Sequence, residues 1–246
     1  TKTIKNKAGD TVTAMSFANS YAATGSITLG ATKSLTGKTL TDGMFKFQLK
    51  DKDGVKLQEK SNAGTAVTFD ALTYDQTDAG KTYTYKVVEV DEAKDGYTYD
   101  DEVYSVEVKV SDKGDGTLDV TKTIKNKAGD TVTAMSFANV YEASGNATLQ
   151  ATKTVNNQPY GGTMDFTFKA SELGTGKTWQ KFKTGKGTIS FDQITYSIND
   201  LGTHTYKIEE IGTAPSGWTF DTTVKYAKVF VEDNGDGTLK TKVTYY

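Results

Sequence analysis

Residues 1–19 read TKTIKNKAGDTVTAMSFAN, and residues 121–139 repeat these nineteen amino acids without a single change. Both copies carry an Asn-Lys-Ala-Gly-Asp segment between stretches of alternating apolar and polar residues, a pattern typical of two β-strands joined by a tight turn. A second occurrence about 120 residues further along the chain is the spacing of one ordinary domain. The repeat therefore predicts a tandem array of β-domains.

Weaker repeats at a similar offset support this array. The corresponding segments are 69–74 (FDALTY) and 191–196 (FDQITY), 96–100 (GYTYD) and 217–221 (GWTFD), and 114–118 and 235–239 (both GDGTL). Period-2 runs bounded by Gly, Asp and Asn lie between them, at the spacing expected of a β-sandwich. The strands predicted for the first full domain are about 26–36, 43–50, 55–60, 65–73, 82–90, 103–111, 117–125 and 131–140. The sequence predicts an all-β protein.

The repeats also predict domain boundaries. We expect a complete sandwich at 24–141 and a second one at 142–246 that lacks a counterpart of the last strand. Residues 1–23 then supply one or more terminal strands of a preceding or neighbouring domain. Two explanations stay open: the chain is a window from a longer array, or chains join head to tail by donating segment 1–21. A sandwich that lacks a strand exposes an edge and an apolar groove, which an added strand fills.

The composition excludes several functions. The 246 residues carry a net charge of -2 with both signs interspersed, which gives no basis for binding nucleic acid or an anionic membrane. No apolar run is long enough to cross a membrane, so we expect no membrane insertion. The absence of cysteine excludes disulfides and thiolate metal sites, and a single histidine argues against zinc. We expect neither a metal nor a cofactor.

Lysine and glutamate recur at positions that the alternation assigns to an apolar face. Lys33 occupies an inward position of the first predicted strand, and Lys153 occupies the same position in the second repeat. Glu89 ends the apolar face of the strand at 82–90, as Glu210 does in its repeat. Burial disfavours the charged forms, so it favours a neutral amine and a protonated carboxyl.

An asparagine completes the set. Asn139 lies between Phe137 and Tyr141 on the last strand, and Asn19 holds the same position in the N-terminal copy. A neutral amine is a nucleophile, and a protonated carboxyl can polarise the amide carbonyl and then pass a proton to the departing ammonia. The pattern predicts an amide bond between Lys33 and Asn139. The alternative is structural: a lysine that extends to the strand end, or a buried Lys33–Glu89 ion pair.

Short segments in order along the chain resemble the streptococcal pilin isopeptide linkage domain family. They are 31–33 (ATK), 84–89 (TYKVVE) and 137–141 (FANVY), with 151–153 (ATK) and 205–210 (TYKIEE) in the second repeat. These Gram-positive pilin and adhesin modules have an immunoglobulin-like sandwich related to collagen-adhesin B-type domains. The resemblance implies tandem sandwiches of that type.

The resemblance also assigns roles to the polar residues. It implies a Lys33–Asn139 isopeptide bond with Glu89 as the catalytic carboxyl. In the second repeat it implies that Lys153, assisted by Glu210, bonds to an asparagine outside its own domain. The best candidate in this sequence is Asn19 of a neighbouring chain or repeat.

The function expected from these features is structural: a pilus shaft or adhesin stalk on a Gram-positive cell wall, whose partners are copies of itself. Each bond forms once, so we do not expect an enzyme. The alternative is a module that binds a host protein or glycan, for which the matching aromatics Tyr97 and Trp218 are candidates, unless they cover the ends of the sandwiches. His204 takes the position of Tyr83, and we expect it to serve in packing.

Overall fold

A computed structural model describes residues 2–155 and 164–246. Strands β1 to β14 are Ile4–Lys5, Thr11–Val12, Thr24–Ile27, Gly30–Thr36, Lys46–Asp51, Lys56–Ser61, Ala66–Thr68, Leu72–Asp75, Thr82–Glu89, Tyr97–Thr98, Val103–Asp112, Leu118–Lys125, Thr131–Val132 and Met135–Tyr141. Strands β15 to β23 are Ser144–Ala147, Gln150–Lys153, Asp165–Glu172, Thr178–Thr184, Gly187–Ser190, Ile194–Ser197, Gly202–Ile211, Lys225–Asp233 and Leu239–Tyr245. Two 3-10 turns, Gln76–Asp78 and Ile198–Asp200, interrupt them. The all-β prediction is confirmed.

The chain forms two compact units. The first contains the residues up to Lys33 together with 41–90 and 101–137, and the second contains 34–40, 91–100 and the residues from Ala138 onward. Across the described ranges 2–155 and 164–246, no helix is long and apolar enough to span a membrane. The boundaries at 23/24 and 141/142 remain predictions from the repeats.

Strands β3 to β14 form a large sheet and two smaller ones. The large sheet has the order β13-β12-β11-β9-β5-β6, and the smaller sheets have the orders β10-β14-β4-β7 and β3-β8. Apolar side chains from alternate positions of these strands are fully buried, among them Phe45, Phe47, Val106 and Val108. This core surrounds the inward position of Lys33.

Three of the predicted long strands are each broken in two. The segment predicted at 26–36 becomes β3, which pairs with β8, and β4, which pairs with β7. The segments predicted at 65–73 and 131–140 break in the same way. The prediction missed these breaks because the chain changes pairing partner while Leu29 at the break stays buried, so the alternation of apolar residues is not interrupted.

The described strands of the second repeat follow the same order, without counterparts of β10, β13 and β14. Its large sheet has the order β18-β17-β21-β22-β23, and its small sheets are β15-β20 and β16-β19. Strand β16 corresponds to β4 and β19 to β7. Among the residues that the structure describes, no strand pairs with β16 on the side where β14 lies beside β4.

Candidate cross-linking sites

Lys33 lies inside the core and contacts Glu89. Its Nζ is 2.8 Å from Oε2 of Glu89, and both side chains have no solvent-exposed area. The ammonium position is 4.6 Å from the centre of the Phe45 ring and 5.9 Å from that of Phe47. The structure therefore brings together the predicted nucleophile and the predicted carboxyl, in a pocket with aromatic walls.

The dry surroundings of this pair determine what it can do. As an ion pair, both groups lose their hydration, and removing two charges from water is expensive even when they attract each other. Transfer of one proton from Lys33 to Glu89 converts the pair into a neutral amine and a protonated carboxyl without moving a heavy atom. The second state holds both chemical forms that amide formation requires.

Asn139 is buried on β14 and its carbonyl is held in place. The side chain is 1% exposed in a core position, and Oδ1 accepts a hydrogen bond of 2.8 Å from the backbone N–H of Asp100. The carboxylate of Asp100 in turn accepts a 2.7 Å bond from the N–H of Ala138. Asp100 therefore holds the backbone of the residue before the asparagine and polarises the amide carbonyl of Asn139.

The sequence reasoning did not assign a role to Asp100. The available signal was the repeat of 96–100 (GYTYD) as 217–221 (GWTFD), which keeps the aspartate in both domains. Taken as a sequence repeat, that match indicated only homology between the domains. The hydrogen bonds to Ala138 and Asn139 show why an aspartate fits there.

The second repeat holds a similar pair in a more open setting. Nζ of Lys153 is 2.8 and 2.7 Å from the two carboxylate oxygens of Glu210, and it is 4.1 Å from the centre of the Phe166 ring. The side chains are 10% and 4% exposed, and they line a cavity of about 830 Å³. Trp218, Phe220 and Asp221 form part of its wall.

Asn19, the remaining predicted site residue, lies in a different setting from Asn139. It is exposed within residues 13–23, which form no strand. The nearby side chains Met15 and Phe17 are also exposed. Met15, Phe17 and Asn19 therefore present their side chains to solvent.

The two aromatics considered for ligand binding are packed against other rings. The ring of Tyr97 lies 4.7 Å from that of Tyr141, and the ring of Trp218 lies 5.8 Å from that of Phe166. Both residues are half-buried. Both rings therefore pack against buried hydrophobic residues.

His204 packs as expected and also makes polar contacts. Its ring centre is 5.0 Å from that of Tyr196, Nδ1 lies 2.7 Å from Oε1 of Glu172, and Nε2 lies 2.8 Å from the carbonyl oxygen of Asp200. In the described part of the chain, no group of three or more His, Asp or Glu residues is placed to hold a metal ion.

The first repeat is thus an all-β domain that buries a lysine, a glutamate and an asparagine. The family model described as FctA, the Spy0128-like isopeptide containing domain, matches residues 29–142 and 149–246. These matches cover most of the chain, so the protein belongs to this family, and the resemblance noted from the sequence is confirmed.

Similar solved structures include major pilins of Streptococcus pyogenes. The T-13 pilin is 16% identical with a TM-score of 0.38, and the match covers 92% of this chain and 99% of that one. The T3.2 pilin is 17% identical with a TM-score of 0.33, covering 87% and 90% of the two chains. Another major pilin from this organism is 17% identical with a TM-score of 0.38, covering 89% and 97%. No match was found among curated proteins.

Proposed function

We propose that this protein is a structural repeat of an extracellular fibre, a pilus shaft or adhesin stalk on a Gram-positive cell surface, which stabilises itself with a Lys33–Asn139 amide bond. Membership in a family of isopeptide-containing domains supports the class of function. The observation that carries the proposal is the dry contact between Lys33 and Glu89 in a domain that also buries Asn139. The expected partners are copies of the chain or adjacent repeats.

The strand arrangement supports this choice of asparagine. Strand β14 is the neighbour of β4 in the small sheet. The hydroxyl of Thr32 on β4 donates a 3.4 Å hydrogen bond to the carbonyl of Met135, at the start of β14. Just beyond β4, Gly37 comes so close to the end of β14 that an added Cβ would lie 2.0 Å from the carbonyl oxygen of Tyr141. The two strands therefore run side by side in the same direction.

The reaction follows from the chemistry of the three groups. Nζ of Lys33, as a neutral amine, attacks Cγ of Asn139, whose carbonyl is polarised by the N–H of Asp100. The new C–N bond forms, and the bond from Cγ to the amide nitrogen breaks. Glu89 carries a proton from the attacking amine to the leaving group, which departs as ammonia. The positioning of the groups by the fold can supply about 7–11 kcal/mol of the barrier.

The bond would suit a protein under tension. It connects the first strand of the sandwich core to the last, and by the entropy model for disulfides, a closed loop of about 100 residues stabilises by about 4.7 kcal/mol. An amide cannot be reduced, so the link is permanent. Each domain reacts once, so the protein would be the substrate of its own reaction and not an enzyme with turnover.

Intact mass under denaturing conditions tests the proposal. The wild-type monomer should be lighter by one ammonia than its sequence, and Lys33→Ala, Glu89→Gln and Asn139→Ala should each restore the full mass. Lys122→Ala and Glu107→Gln, which alter exposed residues of the same domain, should keep the loss. A wild-type monomer at full sequence mass would refute the proposal.

A further inference from the structure

We propose that the outer face of the large sheet of the first repeat binds a sulfated polysaccharide through a row of three lysines, Lys50, Lys86 and Lys125. This binding activity is separate from the proposed structural function and uses none of the cross-linking residues. The three lysines are far apart in the sequence, and the pairing of the strands brings them into one row.

The row follows from the register of the sheet. Lys50 on β5 lies directly opposite Lys86 on β9. Lys86 is opposite Ser105 on β11, and Ser105 is opposite Lys125 on β12. Because neighbouring strands lie about 4.8 Å apart, the row spans about 14 Å from the first lysine to the last. Lys56 on β6, opposite Lys50, extends it by one more strand.

The lysines of the row lie on the solvent side of the sheet. Their neighbours along the strands, Leu49, Val87 and Ile124, are buried in the core, and successive side chains of a strand point to opposite faces. The lysines themselves are exposed or half-buried. A half-buried lysine lays its carbon chain along the sheet and keeps its ammonium group in water, where a ligand can reach it.

The charges of the row are not neutralised by acids of the protein. Within the part of the chain that the structure describes, Lys50, Lys86 and Lys125 form no ion pair, and Glu59 on the neighbouring strand already contacts Lys56 at 3.2 Å. Like charges directly opposite each other on one face of a sheet are destabilising. An anion bound across the row would remove this repulsion.

One acid lies close to the row without entering it. Glu107 is two residues beyond Ser105 on β11, where it is exposed and pairs with Thr84 and Thr123 of the flanking strands. This places it about 7 Å along the strand from the row. The row is therefore a local band of positive charge in a chain whose net charge is -2, and the composition could not reveal it.

The matching row of the second repeat is not basic. On the strands that correspond to β5, β9 and β11 it carries Ser171, Lys207 and Tyr226. Its lysine is paired with Glu209 at 2.7 Å. Since the second repeat forms the same kind of sheet without a lysine row, the fold does not require one. A ligand of the first repeat accounts for the difference.

The groups around the row select the class of anion. A linear polymer with negative charges at intervals can lie across the strands and meet successive lysines. The hydroxyl of Ser105 in the row, and those of Thr84 and Thr123 beside it, can bond to the hydroxyls of sugar units. The outward positions of Thr82–Glu89 and Val103–Asp112 carry no aromatic side chain on which a nucleobase could stack. Sulfate groups on a sugar chain fit both features.

Heparin, a sulfated polysaccharide, tests the proposal when it is titrated into the full 246-residue chain. We expect binding that weakens steeply as salt is added, because the contacts are between exposed charges. Lys50→Gln, Lys86→Gln and Lys125→Gln should each weaken binding by about two- to fivefold, the range expected of exposed charge pairs, and the triple variant by about tenfold or more.

Two lysines provide matched controls. Lys122 lies on the same strand as Lys125 but opposite the buried Val108, so it belongs to the other face of the sheet. Lys122→Gln and Lys207→Gln should leave the affinity for heparin unchanged. Because Lys86→Gln removes a like-charge contact, its thermal stability should equal or exceed that of the wild type, which separates lost binding from lost folding.

The outcomes that would overturn the inference are distinct from those that test cross-linking. Absence of heparin binding at low salt, or an equal loss of affinity in Lys122→Gln, would refute the lysine row as a binding site. Equal or tighter binding of single-stranded DNA, inorganic polyphosphate or anionic lipid vesicles would refute the choice of a sulfated polysaccharide. None of these results affects the mass of the monomer, which tests the proposed function by itself.

Discussion

The two copies of the nineteen-residue repeat have identical sequences and different structures. Both begin as the same hairpin: Ile4 pairs with Val12 and Lys5 with Thr11 in one copy, and Ile124 pairs with Val132 and Lys125 with Thr131 in the other. Beyond the hairpin they separate. Residues 135–141 form β14 in the core, whereas residues 13–23 form no strand.

The difference shows that the strand after the hairpin depends on tertiary contacts. Phe137 is fully buried and Phe17 is 91% exposed, while Met135 and Met15 are 1% and 72% exposed. Intrinsic β-propensity is the same in both copies, so it cannot be what orders β14. The strand is ordered by apolar burial and by pairing with β4 and β10, and residues 13–19 lack those neighbours in the described chain.

Replacing the matched phenylalanines with alanine should reveal the largest difference between the two copies of the repeat. Phe137→Ala removes a buried ring and should lower the free energy of unfolding by about 3–5 kcal/mol. Phe17→Ala should change it by less than about 0.5 kcal/mol, because the ring lies in solvent. Denaturant unfolding of the monomeric chain measures both. Equal losses in the two variants would mean that residues 13–19 are packed in solution.

Substitution of the matched turn glycines should instead have similar effects on the two turns themselves. Gly9 and Gly129 have φ angles of 89° and 91°, a left-handed conformation that costs other residues about 1–2 kcal/mol. An added Cβ would meet nothing within 4 Å at either position, so the cost is conformational.

Hydrogen exchange can test whether the two turns are destabilised equally. Gly9→Ala and Gly129→Ala should each speed exchange at the amides that close their turns, those of Asn6 and Asn126. The global free energy of unfolding should fall only for Gly129→Ala, since its hairpin continues into the core. A global loss for Gly9→Ala would contradict the comparison.

A pH effect should distinguish the two repeats. Burial lowers the pKa of His204, but hydrogen bonds to Asp200 and Glu172 and the charge of Glu172 outweigh it, so its pKa is raised above 6.5. Lys177 and the hydroxyls of Thr175 and Tyr206 also face Glu172. At the matching position of the first repeat, the hydrogen bond to Asp78 raises the pKa of Tyr83 to about 12.

The sign of the effect follows from the raised pKa. The stabilisation from protonated His204 is complete below about pH 6.5, the unfolded value, and is lost as the pH rises through the folded value. Melting followed from pH 6 upward should therefore show a decline that is absent in His204→Gln. An equal decline in that variant would mean that other groups cause it.

Much of the fold follows from pattern in the sequence. Alternation and turn residues predicted an all-β chain, and the buried positions of Lys33, Glu89 and Asn139 match the inward positions that alternation assigned. The breaks in the strands at 26–36, 65–73 and 131–140 were missed because a strand can change sheets without interrupting the period of its side chains. The role of Asp100 was missed because it depends on a contact between segments far apart in sequence.

The sequence by itself determined the hairpin of the repeated segment. The contacts that close its turn involve residues at most four apart, so both copies form it in the same register. The tertiary structure alone decided whether the next seven residues become a strand. Hydrogen bonds and apolar partners for those residues come from β4, β10 and the opposite sheet, and within 2–155 and 164–246 only the second copy has these neighbours.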